Sequence, residues 1–536
     1  MGIPSYFSQI IKKYASIVQS LVNKNFESIE HLFMDCNSII YDSVHELQYN
    51  NNDAEFENEV IKLVIEKIDN YVQTIQPTKN LFIAFDGVAP FAKMEQQRTR
   101  RYKTQFLSNL NITNTTKKDS WNTSAITPGT DFMKKLSEEI RFYFSYKENN
   151  MNLKSIIVST SEEPGEGEHK LFEYLRKNKN IEDNVAVYGL DSDLIMLSIC
   201  HLSYCNNIYI FREAPEFLKS SLPVTLEKET DIYLLDMKHL SKSIVSEMSC
   251  VDNSFNRALD YIFLCFFLGN DFLPHFPAMN IRTHGIDTLL TIYSDTVGKK
   301  PNEYIISNDG KINWNHLRPI ISFVAKNEKT YLLNEYETRK KYDHFKFQQT
   351  TEKEKELLFQ NTPIIYRQQE KYISPDLPYW EKRYYKSLFQ KEPNKDFVQN
   401  VCNNYLEGLE WVFKYYISGC VDWRWKYNYH YPPLFKDLLE YVPHFQMDFL
   451  NSTSTLPFHP HVQLSYVLPP QSQHLLPQNI QDFLKKNYHQ LYPDRIYFEW
   501  AFCRYFWESH PQLPIIPVEL LSQWNTQFSL HEIKSK

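Results

Sequence analysis

The sequence predicts an α/β protein, with a mostly parallel central sheet flanked by helices and a second, aromatic-rich module. Three observations carry this. Across the first 290 residues, short apolar runs alternate with stretches of helical periodicity, the pattern of strand and crossover helix. Several of those runs end in an acid and a turn, as strands do when they deliver side chains to one edge of a parallel sheet. From Val401 onward the composition becomes dense in aromatics, as in EGLEWVFKYYISGCVDWRWKYNYHYPPLFKDL.

The expected strands, in order, are Leu32 to Met34, Leu81 to Phe85, Ser155 to Ser159, Val185 to Tyr188 and Ile208 to Phe211, each a short apolar run bounded by polar residues. Helical periodicity marks Glu57 to Thr74, Lys93 to Leu107, Asp131 to Tyr146, Lys170 to Lys177 and Arg257 to Leu268. Asn109 to Ser124 is polar and rich in Asn and Thr, and reads as a loop. Residues 296–400 read as a connector, with a turn at SNDGK and a charged helical run around Glu352 to Gln360. The expected division is therefore 1–295, 296–400 and 401–536.

Composition excludes several classes. At 536 residues, 42% hydrophobic and 23% charged, the chain can bury a large core and has no fibrous or disordered character. The longest wholly apolar stretch, Tyr261 to Leu268, is far short of the roughly 20 residues that span a bilayer, so no transmembrane helix is expected. The start MGIPSYFSQI has neither the regions of a signal peptide nor, with Tyr6, the residue a myristoylation signal needs, which points to an intracellular protein. The sequons at Asn111, Asn114 and Asn122 are then chance products of an Asn-rich chain. Eight cysteines lie scattered without a Cys-x-x-Cys pair, so neither a disulfide framework nor a structural zinc site is expected. Glycine is scarce, 12 residues, and seven of them (Gly2, Gly87, Gly129, Gly165, Gly167, Gly189, Gly269) fall beside the motifs below.

Acids gather at the strand ends. Asp35 closes HLFMD, Asp86 closes LFIAFD and Asp191 follows VAVYGL; EEPGEGEHK adds Glu166 and Glu168, GLDSDL adds Asp193 and LGNDFLPHFP adds Asp271. Glu168 or Asp193 alone is accounted for by a helix N-terminus. Seven such acids are not. Two like charges about 4 Å apart repel by roughly 4 kcal/mol at an effective dielectric near 20, and hard divalent ions with oxygen ligands, Mg²⁺ or Mn²⁺, relieve that repulsion. A pair of such ions is the apparatus of phosphodiester cleavage.

A cationic stripe lies next to the acids. In FDGVAPFAKMEQQRTRRYK, Lys93, Gln97, Arg100 and Arg101 fall at i, i+4, i+7 and i+8 and share one helical face, seven residues beyond Asp86. A chain of net charge -7 is a poor general polyanion binder, so a local stripe of point charge, amide donor and guanidinium forks suits a phosphate held at one place.

At this point MGIPSYF, HLFMDCNSIIYDSVHE, FDGVAPFAKMEQQRTRRY, ITPGTDFM, PGEGEHK, YGLDSDLIML and LGNDFLPHFP resemble, in order, the first region of the XRN family of 5′-to-3′ exoribonucleases. The aromatic segment quoted above and VLPPQSQHLLP resemble that family's second region. The resemblance covers nearly the whole chain, least securely in the connector. It implies a PIN/5′-nuclease-like first region over 1–295 and the family's helical, aromatic region over 401–536, as in a compact member without a long C-terminal extension. It implies that Asp35, Asp86, Glu166, Glu168, Asp191, Asp193 and Asp271 hold two Mg²⁺ or Mn²⁺ ions, and that Lys93, Gln97, Arg100 and Arg101 form a 5′-monophosphate pocket. All eleven are chemically intact.

Where the family reads GIIH, with a His stacking on the first base, this chain reads Ser38, Ile39, Ile40, Tyr41. Tyr41 still offers a ring face, and base stacking worth about 1–3 kcal/mol does not need an imidazole. The opposite face is expected from Trp423 or Trp425; on a strand an i, i+2 pair points to opposite sides, so at most one faces the base.

The expected activity is degradation of single-stranded, decapped RNA bearing a 5′-monophosphate to nucleoside 5′-monophosphates, by a cytoplasmic monomer coupled in function to decapping enzymes; a nuclear site is compatible. The nearest rival is a DNA 5′ nuclease of the flap endonuclease type, but Asp271 is followed by FLPHFPAMNIRTHGIDTLL, without the Gly-rich helix-hairpin-helix of that class. A non-catalytic RNA-binding protein is the other rival, and the intact acids oppose it.

Overall fold

The computed structural model describes residues 3, 5–20, 28–110, 121–147, 153–213, 232–345, 347–450 and 455–535. Gly2, the sequons at Asn111 and Asn114 and most of the expected Asn/Thr-rich loop lie outside them.

Seven strands form one sheet in the order β1-β7-β6-β5-β2-β3-β4, with β1 Val18–Ser20, β2 His31–Asp35, β3 Asn80–Ala84, β4 Ser155–Ser159, β5 Asn180–Tyr188, β6 Cys205–Glu213 and β7 Ile232–Asp236. The five from β2 to β6 pair in parallel; β7 runs antiparallel to β6, and β1 antiparallel to β7. The predicted α/β class is borne out, and all five expected strands form. The two additional strands have weak signals. Val18–Ser20 is too short to show a period, and the run IYLLD of β7 does not alternate, so its pattern does not separate a strand from a buried helical turn.

From β2 the chain steps to β3 and β4 on one side, then returns to β5 and β6 on the other. That reversal is where open parallel sheets form a crevice at the carboxyl ends of their strands. Side chains of β2 alternate between two cores: Phe33 joins Phe82 and Val185 on one face, while Leu32 and Met34 join Leu81 and Ile83 on the other. Both faces are covered, which is why Leu32 to Met34 reads as an unbroken apolar run before Asp35.

The helices that matter for the site are α1 Asn37–Glu46, α2 Phe91–Asn109, α3 Gly167–Lys177, α4 Asp193–Cys200, α5 Lys395–Ser418 and α6 Pro460–Val467. Helix α5 belongs to the aromatic region yet packs into the sheet's own core, where Tyr405, Trp411 and Tyr415 join Phe172, Leu194 and Phe263. A separate core seats Phe91 and Met94 of α2 against Val462, Tyr466 and Trp524. Buried Arg98 fixes that contact, donating to the Pro514 carbonyl at 3.0 Å with its guanidinium 5.0 Å from the Tyr466 ring centre. The connector region is largely helical, and its charged run forms a helix at Glu352–Gln360 opened by a capping box. The eight cysteines are free, and no described helix is long and apolar enough to cross a membrane.

Candidate active site

Register brings the acids together. Asp35 pairs with Ala84, so Asp86, two residues on, leaves the same edge of the sheet; Met34 pairs with Tyr188, so Asp191 follows from the strand on the other side. Asn37, at the start of α1, locks the first two ends together: its Nδ2 donates to Asp86 Oδ2 at 2.7 Å, and its Oδ1 accepts from the Asp86 amide at 2.9 Å. The Gly167 amide, at the start of α3, donates to Asp86 Oδ1 at 2.7 Å. A Cβ on Gly167 would lie 2.4 Å from Asp35 Oδ1, so only glycine lets α3 approach this closely.

Asp35, Asp86 and Glu168 each offer a carboxylate oxygen within 4.8 Å of the others, and Glu166, Glu168 and His169 form a second such group. The cost of this crowding shows in the protonation equilibria. Burial, reinforced by Asp86 and Asp191, raises Asp35 well above the usual carboxylate range; burial and Glu166 do the same for Glu168. Burial also raises Asp86, with Glu166 adding to it, and pushes Asp193 up to about 7, with Asp271 and Asp191 adding to it. Asp271 is the exception: burial would raise it, but Lys93 outweighs that and holds it at about 2. Among the described residues, Asp35 Oδ1 is sealed from solvent with no hydrogen-bond partner. An orphaned carboxylate oxygen beside the carboxylates of Asp86 and Glu168 fits a hard divalent cation, which would offset the repulsion that raises Asp35, Asp86 and Glu168.

The cationic stripe forms on α2 as predicted and borders the acids. Lys93 Nζ lies 2.6 Å from Glu166 Oε2 and 2.9 Å from Asp271 Oδ2, so it belongs to the acid cluster as much as to the stripe. Gln97 Oε1 accepts from Gln463 Nε2 of α6 at 3.1 Å, which turns the amide so that its NH₂ is the end without a partner among the described residues. Arg100 is exposed. Arg101 is half-buried and held by the Ser124 carbonyl at 3.2 Å and by Thr127 Oγ1. It makes no ion pair among the described residues, and burial pushes its guanidinium down to about 10. Tyr41, on α1, is near enough to Arg101 to offset part of that shift.

The two tryptophans part company, though the reason expected for it fails. Residues 419–434 are irregular, with no strand to send an i, i+2 pair to opposite sides. Trp425 is 8% exposed and stacks on Trp411 at 5.1 Å, which makes it a core residue. Trp423 is half-buried, and its carbonyl accepts from the Phe91 amide at 3.0 Å, tying it to the first turn of the cationic helix. On its other side α2 borders a cavity of ≈ 440 Å³ that meets the acids only at Asp271.

Sequence reasoning missed four residues here. Asn37 sits in the quoted DCNS, but its pairing with Asp86 exists only once β2 and β3 are neighbours. Lys170 donates to the Phe85 and Thr160 carbonyls at 2.7 and 2.8 Å, clamping two strand ends. His169, one residue beyond Glu168, stacks on Tyr415 with ring centres 3.6 Å apart. Tyr415 itself looked like one aromatic among many.

Comparison with known proteins gives the following. Residues 1–214 match the family model described as XRN 5′-3′ exonuclease N-terminus, and residues 252–376 and 377–530 match the Xrn1 helical domain. Among curated proteins, the chain is 26% identical to 5′-3′ exoribonuclease 2 of Candida albicans, over 96% of this chain and 71% of that one. It is 26% identical to 5′-3′ exoribonuclease 1 of Schizosaccharomyces pombe over 90% of this chain, and 25% identical to that of Saccharomyces cerevisiae over 92%. Of those two relatives it spans 45% and 41%. Among solved structures, the catalytic core of Rad2 in complex with DNA substrate matches at 13% identity over 88% of this chain and 98% of that one, with a TM-score of 0.34, too low to carry any argument.

Proposed function

The chain belongs to the XRN 5′-3′ exonuclease family, and on that premise we propose that it degrades 5′-monophosphorylated single-stranded RNA from the 5′ end, releasing nucleoside 5′-monophosphates. The observation that carries the reading is the juxtaposition of a buried, mutually repelling carboxylate cluster with a cationic helix whose Arg101 has no acidic partner among the described residues.

Each part then has a task. Asp35, Asp86, Glu166, Glu168, Asp191, Asp193 and Asp271 would hold two divalent ions, Mg²⁺ or Mn²⁺. Such ions supply Lewis acidity at the scissile phosphate and lower the pKa of an attacking water. Asn37 and the Gly167 amide fix Asp86, so the acids are positioned before substrate arrives. Gln97, Arg100 and Arg101 receive the terminal phosphate, with Lys93 between them and the acids. A half-buried guanidinium without an acidic partner costs stability until an anion neutralises it, and a monophosphate does that with charge-assisted bonds. Tyr41, beside Arg101, offers a ring to the first base, and Trp423 offers the facing one. On this reading Gln97, Arg100 and Arg101 take a single terminal phosphate and not a triphosphate or cap, so the enzyme acts after decapping. We place it in the cytoplasm, as a monomer.

The experiment is cleavage of 5′-phosphorylated RNA by wild type and Asp86→Asn with Mg²⁺, with Mn²⁺ and in excess EDTA. Cleavage by wild type with metal alone supports the reading; cleavage in EDTA, or at the wild-type rate by Asp86→Asn, overturns it.

A further inference from the structure

The acid cluster is not built by the sheet region alone. Tyr415, near the end of α5 in the aromatic region, is 2% exposed and donates its hydroxyl to Glu166 Oε1 at 2.7 Å. The other oxygen, Oε2, is the one 2.6 Å from Lys93 Nζ. Tyr415 thus fixes which oxygen of Glu166 faces the aromatic region and which faces Lys93.

The ring that carries this hydroxyl cannot swing. It stacks on His169 at 3.6 Å and 22° on one side and on Trp411 at 4.8 Å and 27° on the other, with Phe272 edge-on at 5.6 Å. Trp411 in turn stacks on Trp425 and donates Nε1 to the Asp422 carbonyl at 2.8 Å. Four rings therefore form a continuous pile from Trp425, two residues beyond Trp423, to His169, next to Glu168. A buried tyrosine hydroxyl needs an acceptor, and a backbone carbonyl suffices, as Tyr405 on the same helix shows by donating to the Pro274 carbonyl at 3.1 Å. Tyr415 instead uses a carboxylate of the cluster.

We propose that Tyr415 is a positioning residue for Glu166, by which the aromatic region sets the cation affinity of a cluster otherwise supplied by the sheet region. The proposal deepens the nuclease reading and rests on it. Hydrogen-bond partners that orient ligating carboxylates typically change metal affinity 10–100-fold when removed.

The test is Tyr415→Phe, which keeps the ring in the pile and removes only the hydroxyl. Mn²⁺ is titrated against melting temperature without RNA, and separately against cleavage rate. Tyr415→Phe should need at least about tenfold more Mn²⁺ for half-maximal stabilisation, yet approach the wild-type rate at saturating Mn²⁺. Tyr405→Phe, which strips a buried hydroxyl from the same helix, should leave the Mn²⁺ requirement unchanged. On a Glu166→Gln background, removing the Tyr415 hydroxyl should have no further effect. An unchanged Mn²⁺ requirement in Tyr415→Phe, an equal rise in Tyr405→Phe, or the same factor persisting beside Glu166→Gln overturns the positioning role. If Tyr415→Phe does not fold, wild type decides: Mg²⁺ binding should produce a tyrosine ultraviolet difference signal that saturates with the rise in melting temperature, and its absence overturns the role. Wild type that neither binds Mn²⁺ nor cuts RNA with it overturns the nuclease reading; wild type that does both, beside an unaffected Tyr415→Phe, overturns this inference alone.

Discussion

Replacing Arg101 by methionine should separate stability from substrate recognition in a way few substitutions can. Burial lowers the guanidinium from its ordinary value to about 10, and no ion pair among the described residues compensates it. At about 1.4 kcal/mol per pKa unit this corresponds to roughly 3 kcal/mol against the charged form, and to about 2 kcal/mol after discounting for the half-exposed setting. A cation whose folded pKa is depressed destabilises the fold at every pH below that pKa, so at pH 7 the full penalty is present. Removing the side chain relieves it and forfeits bonds to the Ser124 carbonyl and Thr127. The loss is small, about 1 kcal/mol, because Thr127 Oγ1 already donates to that carbonyl at 2.7 Å. Unfolding of the metal-free protein in urea should therefore show Arg101→Met as stable as wild type, or more stable by about 1 kcal/mol. Binding should change oppositely. Fluorescence anisotropy in excess EDTA, with RNAs differing only at the 5′ end, should show the monophosphate form losing about 1.5–3 kcal/mol, roughly 10–150-fold, while the hydroxyl form binds nearly as before. A variant destabilised by more than about 2 kcal/mol would mark Arg101 as a structural tie, and an unchanged ratio between the two RNAs would remove it from the phosphate pocket.

Other outcomes follow from the same geometry. Asp35→Asn should abolish cleavage while leaving RNA binding within a few-fold of wild type by anisotropy, and saturating Mg²⁺ should raise the melting temperature of wild type more than that of the variant. Tyr41→Ala should cost about 1–3 kcal/mol in kcat/KM, whereas Tyr41→Phe and Tyr41→His should cost far less. Trp423→Ala should copy the kinetic defect of Tyr41→Ala in a folded protein, but Trp425→Ala should instead lower stability by about 3–5 kcal/mol in urea melts, since its ring fills the core against Trp411.

What the sequence revealed follows from how local its signals are. A parallel strand buried on both faces must be apolar throughout, so Leu32–Met34 and Leu81–Phe85 were legible as strands, and the acids after them as residues of one edge. The cationic face of α2 was legible because helical spacing is a local property. Strand order was not local, and neither was anything built on it. Asn37 faces Asp86 only because β2 and β3 are neighbours in register, and Tyr415 reaches Glu166 only because α5 packs into the sheet's core. Trp423 and Trp425 could not be told apart, since their segment has no regular period to assign their sides. The dual place of Lys93, counted with the phosphate pocket yet bonded by two acids, also required the loop carrying Asp271 to return beside α2.

The central claim is that the acids cut where the cationic helix has anchored a 5′-monophosphate. The direct measurement incubates wild type and Mg²⁺ with one RNA sequence prepared with a 5′-hydroxyl, monophosphate, triphosphate or cap, and resolves product sizes over time. The account predicts rapid release of mononucleotides from the monophosphate form, slow release from the hydroxyl form, and intact triphosphate and capped RNA. Equal rates on capped and monophosphorylated RNA, or internal fragments preceding mononucleotides, would contradict it.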